Sequence, residues 1–401
     1  MHEFALLPSS LKALDAMNID TPTPIQAQSI PPLLEGRDVI GQAYTGSGKT
    51  LAFGLPLVER IDPNEKRLQA LVLCPTRELA QQVGGVLKQL VAGTGLRSTI
   101  VFGGRAIGPQ QDALRKGAQI VVGTPGRVLD HMERGSMRLD HISFLILDEA
   151  DEMLDRGFAP DVERILARTP KGRQTALFSA TTPEWVLRVS AKYLKEPVVI
   201  QTAADESDAP DIDHVVIEIW GGDKFGVLKR LLDEPTEGAT LVFGRTKYGV
   251  RNLSAKLRRL GYPVDELQGN LNQQQRDRVL EKFREGKTPV LVATNVAARG
   301  LDVLHIERVI NYELPETHEL FTHRVGRTGR MGRSGHAITL LGAGDLPKWH
   351  DIERGLGRKL PRMTPEGELI KPTQPSTNGA KKGFGARRST RGGVRRPRIR
   401  R

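Results

Sequence analysis

At 401 residues the chain is too long for one ordinary hydrophobic core, and domains of about 100 to 150 residues predict two units plus a tail. Hydrophobic residues at 38% can fill such cores, yet no run approaches the ~18 apolar residues of a membrane span, and Met1-His2-Glu3-Phe4 does not open a basic-then-apolar signal pattern, so a cytoplasmic protein is expected. The net charge of +12 lies at one end, since residues 381–401 hold ten Lys or Arg and no acid, leaving 49 basic against 47 acidic residues before them.

In chain order, short apolar runs alternate with longer helical stretches, the pattern of a parallel sheet assembled from strand and helix units. The first half predicts strands at 38–41, 70–74, 99–102, 120–122, 144–147 and 175–178. Cys74, the only cysteine, ends the second of these; it excludes an internal disulfide, has no neighbour at metal-ligand spacing, and reads as a small core residue. Residues 202–213, with Asp205, Glu206, Asp208 and Pro210, are acidic and without period, and read as a linker. A second series of strands follows at 215–219, 240–243, 290–293, 309–311 and 337–341, closed by a helix over 345–355. From about 361 the apolar periodicity dissolves into Pro, Thr, Gly, Ser and Arg. The expected organisation is a first domain over 1–201, a linker over 202–213, a second domain over 214–360 and a disordered basic tail over 361–401. No internal repeat is visible in the residues, which leaves open whether both halves share an architecture.

The motifs sit just after these strands, at the carboxyl edge where open α/β sheets bind ligands. After the first strand comes Ala43-Tyr44-Thr45-Gly46-Ser47-Gly48-Lys49-Thr50. Its glycines let a turn wrap a phosphate with backbone N–H groups before a helix opens at its positive end. Thr45 to Gly48 form the cradle, Lys49 reaches the outer phosphates, and the Thr50 hydroxyl binds magnesium. Ala43 stands where such a cradle usually begins with glycine. Asp148-Glu149-Ala150-Asp151 follows the apolar run 144–147, so its carboxylates leave the sheet at the same edge, Asp148 to hold magnesium and Glu149 to orient the attacking water. An acidic cluster alone is more often a solvated loop; the pairing with Lys49 decides for chemistry. In the second half, His323-Arg324-Val325-Gly326-Arg327-Thr328-Gly329-Arg330 offers arginines able to reach a phosphate from another domain. Together these elements predict hydrolysis of a nucleoside triphosphate at a domain interface.

Further motifs appear in a fixed order: Pro22-Thr23-Pro24-Ile25-Gln26, Pro75-Thr76-Arg77-Glu78-Leu79-Ala80, Gly103-Gly104, Thr124-Pro125-Gly126-Arg127, Ser179-Ala180-Thr181, Gln273 with Arg276, and Ala293-Thr294 leading to Arg299-Gly300-Leu301-Asp302. Each is weak alone. In this order, at strand ends and over about residues 4 to 345, the chain resembles the DEAD-box ATP-dependent RNA helicases of superfamily 2, and its compact length suggests a bacterial-type member. The resemblance implies two tandem RecA-like domains and ATP as the fuel, with Gln26 on the adenine edge and Phe4 stacked on the ring; a bidentate amide fits adenine's donor and acceptor pair and mismatches guanine's. An equal role for Phe4 is a hydrophobic plug of an N-terminal helix. Asp302 is implied as a ribose contact, and Arg327 and Arg330 as arginine fingers. Ser179 and Thr181, with Asp151, are implied as the bridge that ties the carboxylates to domain closure, a strand cap being the competing role for the two hydroxyls.

The resemblance also implies RNA contacts from Thr76, Arg77, Gly104, Thr124 and Arg127 in the first domain and from Arg276 and Thr294 in the second. Small hydroxyls, backbone amides and arginines suit phosphates and sugars, so binding largely indifferent to sequence is expected. Strand separation in this family bends one strand, here by a helix opening near Arg127. Three departures stand out: Asn295 for the usual Asp after Thr294, Gln268 for a frequent His, and Asn18-Ile19 for a Gly-aromatic pair. None removes a group needed for phosphoryl transfer. The leading expectation is an RNA helicase that unwinds short duplexes or remodels ribonucleoproteins. The rival is an ATP-regulated RNA clamp with little unwinding, and DNA translocation ranks third. The tail reads as a sequence-tolerant RNA anchor, a solvated tail being the bland alternative.

Overall fold

A computed structural model describes residues 1, 3–43, 46–202, 212–298, 301, 303, 305–329 and 334–370. The first seven strands are β1 (Val39–Gln42), β2 (Ala70–Leu73), β3 (Ser98–Val101), β4 (Ile120–Gly123), β5 (Phe144–Asp148), β6 (Gln174–Ser179) and β7 (Val198–Gln201). The next seven are β8 (Ile212–Ile219), β9 (Ala239–Gly244), β10 (Val264–Leu267), β11 (Val290–Thr294), β12 (Ile306–Asn311), β13 (Gly335–Gly342) and β14 (Arg362–Met363). They form two seven-stranded sheets in the orders β3-β4-β2-β5-β6-β1-β7 and β10-β11-β9-β12-β13-β8-β14. Counted from the first strand of each, the two orders are one and the same permutation, which answers the question the sequence left open.

Every strand pair between these named strands is parallel, so helices must cover both faces and the central strands must be apolar on both sides. β5 shows why Phe-Leu-Ile-Leu folds here. Its Phe144 and Ile146 enter one core with Phe53 and Phe178, while Leu145 and Leu147 enter the opposite core with Leu177 and Trp185, the two-residue period of a strand. The second sheet divides likewise: Val242, Val292 and Ile310 face one side, and Leu241, Leu291 and Val309 the other.

Three strands escaped the sequence. β7 follows Pro197 at one edge of its sheet, β10 carries Asp265 and Glu266 at its half-buried centre, and β14 is only two residues long. β14 also corrects the expected boundary at 360. Arg362 donates to Glu218 at 2.8 Å and to Glu353 at 2.9 Å, pinning β14 beside β8, and Ile370 N–H returns to the Arg362 carbonyl at 2.8 Å. Arg362–Met363 thus belong to the second sheet, and Ile370 folds back onto them; 371–401, including the expected RNA anchor, lie outside the described residues. So do 203–211 of the expected linker. Among the described residues no helix is long and apolar enough to cross a membrane.

Parallel register brings the carboxyl ends of β1, β5 and β6 to one edge: Gln42 lies beside Ser179, and Asp148 beside Phe178. In the second sheet Thr294 lies beside Gly244, and Asn311 beside Phe243 and Thr339. The functional residues leave both sheets from these edges.

Candidate active site

The turn after β1 needs glycine. Gly46 and Gly48 hold φ of +94° and +93°, and a Cβ at Gly48 would fall 2.4 Å from Gln26 Nε2. Gly48 is also the N-cap of the helix Lys49–Arg60, which has no side-chain cap, so the polarised N–H groups of its first turn face the turn itself. Lys49 is only 7% exposed, and its Nζ donates to the Ala43 carbonyl at 2.9 Å, folding the ammonium back over the mouth of the turn. Ser47 is buried and Thr50 half-buried. Thr45 lies outside the described residues.

Gln26 is engaged within the protein. Its Oε1 accepts from Thr23 N–H at 2.9 Å in a capping box, and its Nε2 donates to the Gly48 carbonyl at 3.0 Å. Thr23 Oγ1 adds a bond to the Ser47 carbonyl at 2.7 Å. This pair therefore fixes the phosphate turn from below. Phe4 packs half-buried against the core under this face.

Asp148 ends β5 with 2% exposure, and its Oδ1 has no hydrogen-bond partner among the described residues. Burial, opposed by the Lys49 charge and reinforced by Glu149, pushes its carboxyl up to about 7. A buried, unpaired acceptor oxygen beside the Lys49 turn fits a hard divalent cation, which takes oxygen ligands. Glu149 occupies the left-handed region at φ 53°, ψ 56°, a conformation that costs about 1–2 kcal/mol outside glycine. The cost is borne where the chain leaves β5 for the helix Ala150–Asp155.

Asp151 joins this motif to the end of β6. Its N–H donates to Ser179 Oγ at 3.2 Å, while Thr181 donates to Asp151 Oδ2 through its N–H at 2.9 Å and its hydroxyl at 2.8 Å. These hydrogen bonds join the end of β6 to the helix Ala150–Asp155 that follows Glu149.

The two domains meet beside this edge. Thr76 caps the helix Arg77–Leu90 by accepting from Leu79 N–H at 3.0 Å. Arg77 then reaches across to Gln273 Oε1 at 2.6 Å, and Arg276 returns to Glu78 Oε1 at 2.6 Å with Arg276 and Glu78 both little exposed. Arg105 pairs with Asp277 at 2.7 Å, and Arg156 donates to the Val296 carbonyl at 3.1 Å. Gly104, at φ +83°, leaves the space that Arg77 fills, since a Cβ there would meet Arg77 Nη1 at 2.4 Å. Arg127 donates to the Arg105 carbonyl at 3.2 Å and Thr124 is buried; Thr294 ends β11 and is buried, and the Arg276 guanidinium also reaches Ala297 O at 3.2 Å. Of the residues expected to bind RNA, Arg77 and Arg276 make the cross-domain contacts, and Gly104 packs against Arg77.

In the second domain Arg327 is buried, donating to Leu301 O at 3.0 Å and His323 O at 3.2 Å. Arg330 and Asp302 lie outside the described residues. Sequence reasoning passed over Arg324. Held by neutral acceptors, it donates to Asn295 Oδ1, to Asn311 Oδ1 at 3.0 Å and to Glu313 O at 2.6 Å, and its guanidinium lies 4.9 Å from the Phe243 ring centre. Burial lowers its pKa. The departure at Asn295 is thereby a contact: it links the end of β11 to the helix His318–Val325 that precedes Arg327. Glu78, Arg105 and Asp277 were also missed as partners, because a cross-domain pair leaves no spacing in the sequence.

Comparison with known proteins agrees with this layout. The DEAD/DEAH box helicase profile matches residues 23–189, and that of the helicase conserved C-terminal domain matches 223–332. The DEAD-box ATP-dependent RNA helicase CshA of Geobacillus kaustophilus is 44% identical over 363 residues, covering 90% of this chain and 78% of that protein. S. cerevisiae Dbp5 bound to RNA and ADP BeF3 is 35% identical, with 91% of this chain and 95% of that one covered at a TM-score of 0.83. A DEAD box protein from the hyperthermophile Methanococcus jannaschii is 39% identical and covers 90% of this chain and 98% of its own, yet reaches only 0.54. By sequence and by structure, the chain belongs to the DEAD-box ATP-dependent RNA helicase family.

Proposed function

We infer that this chain is an ATP-dependent RNA helicase that grips RNA through its phosphate backbone and opens short duplexes, or remodels ribonucleoproteins, as ATP draws its two domains together. The observation that carries this reading is the junction, where Arg77, Gln273, Glu78 and Arg276 cross between the domains at the same edge as the Lys49 turn and Asp148. In this reading the Gly46–Gly48 turn wraps the phosphates, Lys49 leaves the Ala43 carbonyl for the outer phosphates, and Glu149 orients the attacking water. Magnesium held by Thr50 and Asp148 would neutralise charge on the transferred phosphoryl group. Arg327 and Arg330 stabilise the same charge from the second domain, and Asp302 meets the ribose. Gln26 and Phe4 take the base, Gln26 exchanging its bonds to Thr23 and Gly48 for the adenine edge. Ser179, Thr181 and Asp151 transmit closure to Glu149.

RNA lies along Thr76, Arg77, Gly104, Thr124, Arg127, Arg276 and Thr294, read through phosphates and sugars and so with little regard to sequence. A cytoplasmic location and ribonucleoprotein partners belong to the same reading. Steady-state ATP hydrolysis with and without RNA, run beside unwinding of a short duplex, tests it. RNA-stimulated hydrolysis with ATP-dependent strand separation is expected. Stimulation without separation favours the clamp, and no stimulation refutes both.

A further inference from the structure

We propose that the exposed face of the helix Lys247–Arg259 is a second RNA-binding surface, on which a single strand leaving the junction lays its phosphates and stacks one base on Tyr248. This rests on the reading of the chain as an RNA helicase. The helix, KYGVRNLSAKLRR, carries Lys247, Arg251, Lys256, Arg258 and Arg259 and no acid, in a chain whose first 380 residues are nearly neutral. Val250, Leu253, Ser254 and Leu257 are buried against the sheet. The helical period then sets Tyr248, Arg251, Asn252 and Arg259 on the opposite face, with Lys256 at its margin. Among the described residues, only Arg258 of these cations has an acidic partner, Glu266 at 3.4 Å. Lys256 lies 5.6 Å from the Phe225 ring centre, while Arg251 and Arg259 stay exposed.

Tyr248 is 71% exposed, a large ring left open to solvent over most of its surface. Exposed aromatics among lysines and arginines are what sequence-tolerant single-strand binding uses, because every base has a π-face. The position ties this surface to the junction. Lys247 Nζ donates to Asn270 Oδ1 at 3.1 Å, and Asn270 lies just before Asn272, the cap of the helix Gln273–Arg284 that carries the cross-domain contacts of Gln273 and Arg276. A strand passing Arg276 and Thr294 therefore meets Lys247 and Tyr248 next, then follows basic side chains along a helix about 20 Å long. Phosphates bound along this path add affinity for long RNA and none for RNA that ends at the junction.

The test uses the full chain and two single-stranded RNAs, one just long enough to stimulate hydrolysis and one extended by about 10 nucleotides, within the range of single-strand footprints. Arg251→Gln, Lys256→Gln and Arg259→Gln together should raise the concentration of long RNA for half-maximal hydrolysis about tenfold, with kcat and the short-RNA response unchanged. The slope of log affinity against log salt should fall by about 0.7 for each phosphate no longer neutralised. Lysine in place of Arg251 and Arg259 should keep the affinity. Tyr248→Ala should weaken the long single strand but not a duplex of equal length. Equal long-RNA affinity and salt slope in wild type and the glutamine variant overturn the proposal and leave a protein partner as the occupant. A wild type stimulated by neither RNA fails the underlying reading instead.

Discussion

The two sheets are built on one strand order, yet the helices that follow their first strands are capped differently. β1 and β8 occupy the same place in their sheets, and each feeds a helix whose first residue is lysine, Lys49 or Lys224. After β1 the helix is capped by Gly48 in a left-handed turn with no side chain at its positive end. After β8 the cap is Asp223, whose carboxylate accepts from Phe225 N–H at 3.0 Å, and Lys224 turns to Asp345 at 3.4 Å. One helix end awaits an anion; the other has supplied its own. A shared fold thus carries two different helix starts, the difference resting on a few residues at one turn, and in the proposed reading the first of them takes the nucleotide.

The comparison breaks first at the paired lysines. Lys49→Ala should lower ATP hydrolysis by about a thousandfold or more, since the outer phosphates lose a preorganised charge, whereas Lys224→Ala should leave turnover within about twofold, its half-buried pair with Asp345 lying away from the Lys49 turn. Steady-state kinetics of both variants check this, and a comparable fall in each would place a phosphate site in each domain.

Arg327→Ala should come next. Single-turnover hydrolysis should fall by up to about 10³-fold while nucleotide affinity changes little, as expected of a group acting in the transition state. Weaker binding at an unchanged rate of hydrolysis would instead make Arg327 a ground-state ligand.

A smaller effect is expected at the junction. Arg276→Gln leaves Glu78 without its cation in a little-exposed place, so closure becomes harder and RNA-stimulated turnover should fall about tenfold, with RNA-free turnover less affected. Exchanging the pair as Glu78→Arg with Arg276→Glu should recover part of it. The smallest effect belongs to Asp223→Ala, which removes a cap worth about 1 kcal/mol and should lower Tm by a few degrees with hydrolysis intact.

Much of this layout was legible because phosphate chemistry is local. The Gly46–Thr50 turn, the carboxylates after β5 and the hydroxyls after β6 each occupy a short segment behind an apolar strand, and periodicity finds such strands. β10 was hidden because Asp265 and Glu266 at its half-buried centre break the apolar run, and β14 because its placement depends on Arg362 reaching Glu218 and Glu353, far apart in sequence. The same limit hid the partners of Arg276 and Arg324, which are chosen by the folded junction. Gln26 was recognised, but its bonds to Thr23 and the Gly48 carbonyl come only with the packed turn.

The central claim is that the first domain hydrolyses ATP in a site completed by closure on the second, with RNA held while closure lasts. Release of RNA from the Glu149→Gln variant in saturating ATP tests it most directly, because this change spares the phosphate turn and the junction and removes the group assigned to the water. The variant should hold RNA at least about tenfold longer than wild type, hydrolysis being the step that reopens the domains. Release as fast as wild type, with ATP bound, would contradict the account.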